Sequence, residues 1–142
     1  MIGALTFPAL AGGPEACPVT KASDAFSPPP PYGDAAPQGA FFFGTARLWT
    51  LVWPQSWQSR KLVWWTTAGE PKPGSSPALS VTFRRLDAAA PTLVTDHANW
   101  AYLPDRWFIT TGLRNGPQAG CWEISGKLNG NQVQYVVWLG GQ

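Results

Sequence analysis

Chemistry in this chain has few carriers. His97 is the only histidine and follows Asp96 directly, with Asn99 and Asp105 a little further on. A serine-type triad would need this imidazole beside a serine on a sharp turn, and no Gly-x-Ser-x-Gly elbow occurs in the chain. The group suits an activated water better. Asp96 and Asp105 supply carboxylate oxygens and His97 a base, a set that favours calcium, because one imidazole and no free thiol make a poor zinc site. As an enzyme the chain would be a small hydrolase of esters or lactones, with Asp96, His97 and Glu123 as the catalytic candidates and Asp96 and Asp105 as metal ligands. Glycoside cleavage would need a second carboxylate opposite Glu123, for which Asp87, Asp96 and Asp105 are nominal candidates only. Glu123 lies between Trp122 and Ile124, so strand alternation turns its carboxylate away from that apolar pair. There it is either solvated or covered and paired with an arginine.

The leading reading is binding without catalysis and without a cofactor. Trp64 and Trp65 are adjacent, so in a strand they point to opposite faces and one of them must meet solvent or another segment. Trp57 sits in the polar stretch Gln55-Ser56-Trp57-Gln58-Ser59, and Trp100 follows Asn99. Flat aromatic surfaces near amides and hydroxyls suit a small molecule, a glycan or a protein ligand, which makes Trp57, Trp65 and Trp100 the candidate surface. Trp49, Trp53, Trp64 and Trp122 are expected in the core, because a domain poor in leucine and isoleucine must fill itself with aromatics.

These residues have to be positioned by short strands. With 15 prolines and 15 glycines in 142 residues, long helices have little room. A first β-rich run covers Phe41-Phe42-Phe43-Gly44 and Leu48 to Trp53, and a second runs from Lys61 to Thr67. From Ala78 to Leu86, Leu79, Val81 and Phe83 alternate with Ser80, Thr82 and Arg84, which predicts one buried and one wetted face. The pairs Arg60-Lys61 and Arg84-Arg85 belong on such a wetted face or an edge. A weaker element spans Trp100 to Leu103, and another runs from Arg106 to Thr111. The last two strands, 120–128 and 131–139, flank Asn129-Gly130, the pair preferred where both turn residues need positive φ. The pattern predicts an all-β sandwich of the immunoglobulin or fibronectin kind with about seven strands over residues 40–142. Residues 12–39, with Pro28-Pro29-Pro30-Pro31, are expected to form an extended proline-rich arm.

The two cysteines, Cys17 and Cys121, lack the close spacing of a metal or redox motif and are expected to form a disulfide. Closing a loop of that length is worth about 4 to 5 kcal/mol in the chain-entropy picture. Residues 1–11 end in Ala9-Leu10-Ala11 and read as the apolar end of a secretion signal, although no basic residues precede them. Together these place the chain outside the cell or in the periplasm, acting at the cell envelope. No stretch has the roughly 20 apolar residues of a membrane span. Ten basic residues against eight acidic ones, scattered along the chain, argue against a nucleic-acid partner.

The stretch Gly112-Leu113, then Pro117-Gln118-Ala119-Gly120-Cys121-Trp122-Glu123-Ile124-Ser125-Gly126, resembles a pattern in uncharacterised secreted bacterial proteins. Ala16-Cys17-Pro18-Val19-Thr20, Leu48-Trp49 to Trp53-Pro54 and Val63-Trp64-Trp65 are similar to other parts of the same pattern. The resemblance implies a small extracytoplasmic domain and carries no activity. The final two strands also resemble those of immunoglobulin-like accessory domains, a likeness without mechanism.

Overall fold

Period-two alternation over short apolar runs produces nine strands in the computed structural model, which describes residues 14–30, 32, 36–53, 61–67, 71–72, 75–95, 97–103, 106–113 and 117–140. They are β1 (Phe41–Thr45), β2 (Leu48–Val52), β3 (Lys61–Trp65), β4 (Ser80–Arg85), β5 (Leu93–Val94), β6 (His97–Leu103), β7 (Arg106–Gly112), β8 (Gly120–Leu128) and β9 (Asn131–Leu139). Two antiparallel sheets result, a five-stranded one in the order β1-β2-β3-β7-β6 and a four-stranded one in the order β5-β4-β8-β9. Packed face to face they make the all-β sandwich.

The final hairpin forms as the sequence dictates. Asn129 and Gly130 both take positive φ, at 48° and 81°, and Leu128 pairs with Asn131 across the turn. At the start of the body, the first apolar run divides into β1 and β2 about Ala46-Arg47. No turn dipeptide announces this break. The hydroxyls of Thr66 and Thr67, just beyond β3, donate to the carbonyls of Arg47 and Ala46 and hold the turn from outside.

The inner faces carry Leu48 and Val52 of β2, Leu62 and Trp64 of β3 and Ile109 of β7 on one sheet. They meet Val81 and Phe83 of β4, Trp122, Ile124 and Leu128 of β8, and Val133, Tyr135 and Val137 of β9. Between the layers, the six-membered ring of Trp64 lies close against the backbone of Gly126. A methyl group at Gly126 would stand 2.6 Å from Trp64 Cη2. The indole cannot step aside, since it is fully buried and its Nε1–H donates to Thr111 Oγ1 at 3.1 Å. Thr50, also fully buried, gives its hydroxyl proton to the Val63 carbonyl at 2.7 Å. Burial raises the pKa of the Tyr135 hydroxyl well above its usual range, with Thr50 tempering the shift. That hydroxyl has no hydrogen bond of normal geometry among the described residues.

A second apolar cluster lies on the outer face of the five-stranded sheet. Trp49 and Trp65 are cross-strand neighbours and stack with ring centroids 6.4 Å apart, and Phe42 meets Trp65 edge-on at 5.6 Å. Phe26 and Tyr32 of the N-terminal segment close over Trp49 at 5.8 and 5.3 Å, leaving it fully buried on the far side from the main core. The same segment caps both sheets along one side. The Thr20 N–H donates to Val136 O and the Val136 N–H donates to Thr20 Oγ1, both at 2.9 Å, on the edge strand β9. The Phe26 N–H donates to Phe42 O at 2.7 Å on the edge strand β1. A disulfide from Cys17 to Cys121, with Cα atoms 5.6 Å apart, fastens the segment to β8. No helix among the described residues is long and apolar enough to cross a membrane.

Two outcomes are expected. Gly126→Ala should lower stability by about 2 kcal/mol through overpacking, and in a Trp64→Leu background most of that loss should disappear. Urea unfolding of the four proteins measures the coupling, and a loss unchanged by the second substitution would contradict the contact. Replacing Cys17 and Cys121 together by serine should reduce unfolding free energy by about 4 kcal/mol, read from the same transitions.

Candidate functional site

Strand alternation sorts the residues that the sequence brought forward. On β6 and β7, Trp100 pairs with Ile109 and Tyr102 with Trp107, and Ile109 belongs to the buried core. Trp100, Tyr102 and Trp107 therefore share the inner face of this hairpin. Exposure rises toward the hairpin turn: Ile109 is buried, Trp100 and Trp107 are half-buried, and Tyr102 is 58% exposed. Trp107 meets Trp100 edge-on at 6.5 Å and the Tyr102 ring at 4.9 Å. An aromatic strip thus runs out of the core to the surface along the edge strand of the five-stranded sheet. Trp100 was named from its sequence context, whereas Tyr102 and Trp107 were missed. The signal for them was present, because residues 100 and 102 share parity, as do 107 and 109.

Trp65 is half-buried under a different constraint, stacked on Trp49 and flanked by Phe42 on the outer face. Trp57 lies outside the described residues, as do Asp96 and Asp105, so the proposed water-activating group is represented by His97 alone. His97 begins β6, opposite Gly112, and Asn99 two residues on stands opposite Thr110, so both lie on a paired strand. Among the described residues no three histidine, cysteine or carboxylate side chains gather as metal ligands. Glu123 faces outward from the four-stranded sheet and accepts from Arg84, with Arg84 Nη2 at 3.0 Å. That ion pair sits in a shallow polar trough of about 330 Å³ with Ser80, Thr82, Lys127, Gln132 and Gln134 along it. Arg84 is 61% exposed in its side chain, which makes the pair a weak contributor.

A second groove, more apolar in its lining, lies where β4 ends and β8 begins. A groove of about 320 Å³ is lined by Arg85, Ala89, Ala90, Pro91, Leu93, Pro117, Gln118 and Trp122. Trp122 supplies the floor and is held by its Nε1–H, which donates to Gln118 O at 2.8 Å. The Arg85 guanidinium lies over the Trp122 ring, 5.9 Å from its centre, and its Nε donates to Asp87 Oδ1 at 2.9 Å. Gly120 makes room for this pair: a methyl group there would fall 2.8 Å from Arg85 Nε and 2.9 Å from Asp87 Oδ1. Burial pushes the Asp87 carboxyl pKa up, but the Arg85 hydrogen bond, a backbone bond from Cys121 and the Arg85 charge outweigh it and leave the group below its usual value. Sequence reasoning placed Arg85 on a wetted surface and missed the groove. Arg85 and Asp87, two apart on an extended chain, were the available sign.

Because the folded pKa of Asp87 is depressed, its ionised form favours the native state. That stability is full above the unfolded carboxylate value near 3.9 and is lost as pH falls through the lower folded value. Asp87→Asn should therefore lower the melting temperature at pH 7, and the gap from the parent should narrow below about pH 4 in thermal scans. The chain matches no protein family, no curated protein and no solved structure with which it was compared.

Proposed function

We propose that this chain is a non-catalytic binding module of the cell envelope that takes a glycan on the Trp100-Tyr102-Trp107 strip. The observation that carries the reading is Tyr102, a large aromatic 58% exposed at the end of a contiguous aromatic run that is anchored in the core. Sugar rings present C–H faces that pack on such surfaces, and a strip rooted in rigid strands pays little ordering entropy on binding. The disulfide supports an oxidising compartment outside the cytoplasm, as do the signal-like residues 1–11 and the resemblance to secreted bacterial domains. Placing His97 and Asn99 on a paired strand favours binding over hydrolysis by giving that region a regular backbone in place of a ligand-gathering loop.

Affinity electrophoresis through gels containing soluble β-glucan, xylan or chitooligosaccharide tests the reading. Retardation by at least one of these is expected, with Tyr102→Ala weakening it by up to about tenfold and Tyr102→Phe preserving most of it. Retardation by none of them would overturn the glycan assignment. Retardation indifferent to Tyr102→Ala would move the site elsewhere.

A further inference from the structure

From the groove between β4 and β8 we infer a second, independent ligand site, built for a small monocarboxylate with an apolar body. The argument rests on the hydrogen bonds of Arg85. Its side chain is only 19% exposed, yet its one hydrogen bond to a described residue uses Nε, toward Asp87. Arg85 lines the groove, and neither Nη1 nor Nη2 has a hydrogen bond to a described residue. With Nε committed to Asp87, the rest of the guanidinium keeps its donors for the solvent side, and a planar carboxylate meets such a fork in two parallel bonds.

The surroundings narrow the ligand further. Asp87 fixes the guanidinium plane by holding Nε, and the Trp122 ring beneath supports it, so the fork is pre-set before a ligand arrives. Asp87 is thereby a positioning residue. Its negative charge also disfavours a dianion such as a phosphate monoester. Ala89, Ala90, Pro91, Leu93 and Pro117 give the remaining wall an apolar character that suits a hydrocarbon or aryl body. The volume of about 320 Å³ stands at the lower end of the range for small-molecule sites, roughly 300 to 1,000 Å³. This reading is separate from the aromatic strip. The chain leaves β7 at Gly112, the opposite end of that strand from the β6–β7 turn, before it reaches Pro117 and Gln118.

Titration of the full chain with octanoate, octanamide and inorganic phosphate, followed by calorimetry and by the indole N–H resonance of Trp122, tests the inference. Octanoate should bind about tenfold or more tightly than octanamide and shift the Trp122 resonance, while phosphate alone should not bind. Arg85→Gln should abolish the preference for acid over amide. Since that change also releases Asp87, Ala90→Trp serves as a second variant, filling the groove while leaving the Arg85–Asp87 pair in place, and it should remove octanoate binding at an unchanged melting temperature. Equal binding of acid and amide, phosphate binding as strong as octanoate, or octanoate binding that survives Ala90→Trp would each overturn the site. Glycan retardation by the strip should be the same in Ala90→Trp as in the parent, so the two sites fail or stand separately.

Discussion

The sandwich turns on one contact between its layers, the Trp64 ring seated on the bare backbone of Gly126. The ring is tethered through Thr111 on its own sheet, and only a residue without a side chain admits it on the other. Tyr135 packs beside Trp64 with ring centroids 6.3 Å apart, and Phe43 reaches Tyr135 from β1 at 6.2 Å. An interior assembled this way is aromatic and close-packed, with little slack for a change in either layer. Among the described residues, neither the Tyr135 hydroxyl nor, on the outer face, the Trp49 indole N–H has a hydrogen bond of normal geometry.

The outer face of the five-stranded sheet would be an aromatic liability if left bare. Trp49, Trp65 and Phe42 together would expose the kind of patch that drives association. The N-terminal segment removes it with Phe26 and Tyr32, and its backbone occupies the neighbouring sheet edges at Val136 and Phe42. Edge strands are where β proteins are open to unwanted pairing, and here one short segment protects an edge of each sheet. The aromatic strip on β6 and β7 lies at the opposite edge of the five-stranded sheet from β1, so the surface proposed for binding is not the one the segment covers.

Much of the architecture was readable from local rules, because local rules decide it. Asn129-Gly130 required its turn, and Leu79, Val81 and Phe83 required a buried face. Two cysteines without metal or redox spacing pointed to a disulfide, and they form one. Other features depend on partners far along the chain. The Ala46-Arg47 turn has no turn signature of its own and is secured by Thr66 and Thr67. β5 is two residues long and forms only because β4 offers Thr82 and Phe83 as partners. His97 looked like part of a loop because its neighbours are polar, and it became a strand residue through pairing with Gly112. The groove joins residues 85–93 to residues 117–122, a junction that no stretch of sequence shows by itself.

The bridge between Cys17 and Cys121 spans 104 positions, and the backbone partners of the same segment include Val136. The first described part of the chain to be synthesised is consequently among the last to find its seat. The thiol at residue 17 has no partner until β8 has been synthesised, and the hydrogen bonds at Val136 wait longer still. Closing so long a loop is slow relative to hairpin formation, so both sheets should be largely assembled when the segment arrives. The disulfide is thus expected to close over sheets that have already paired.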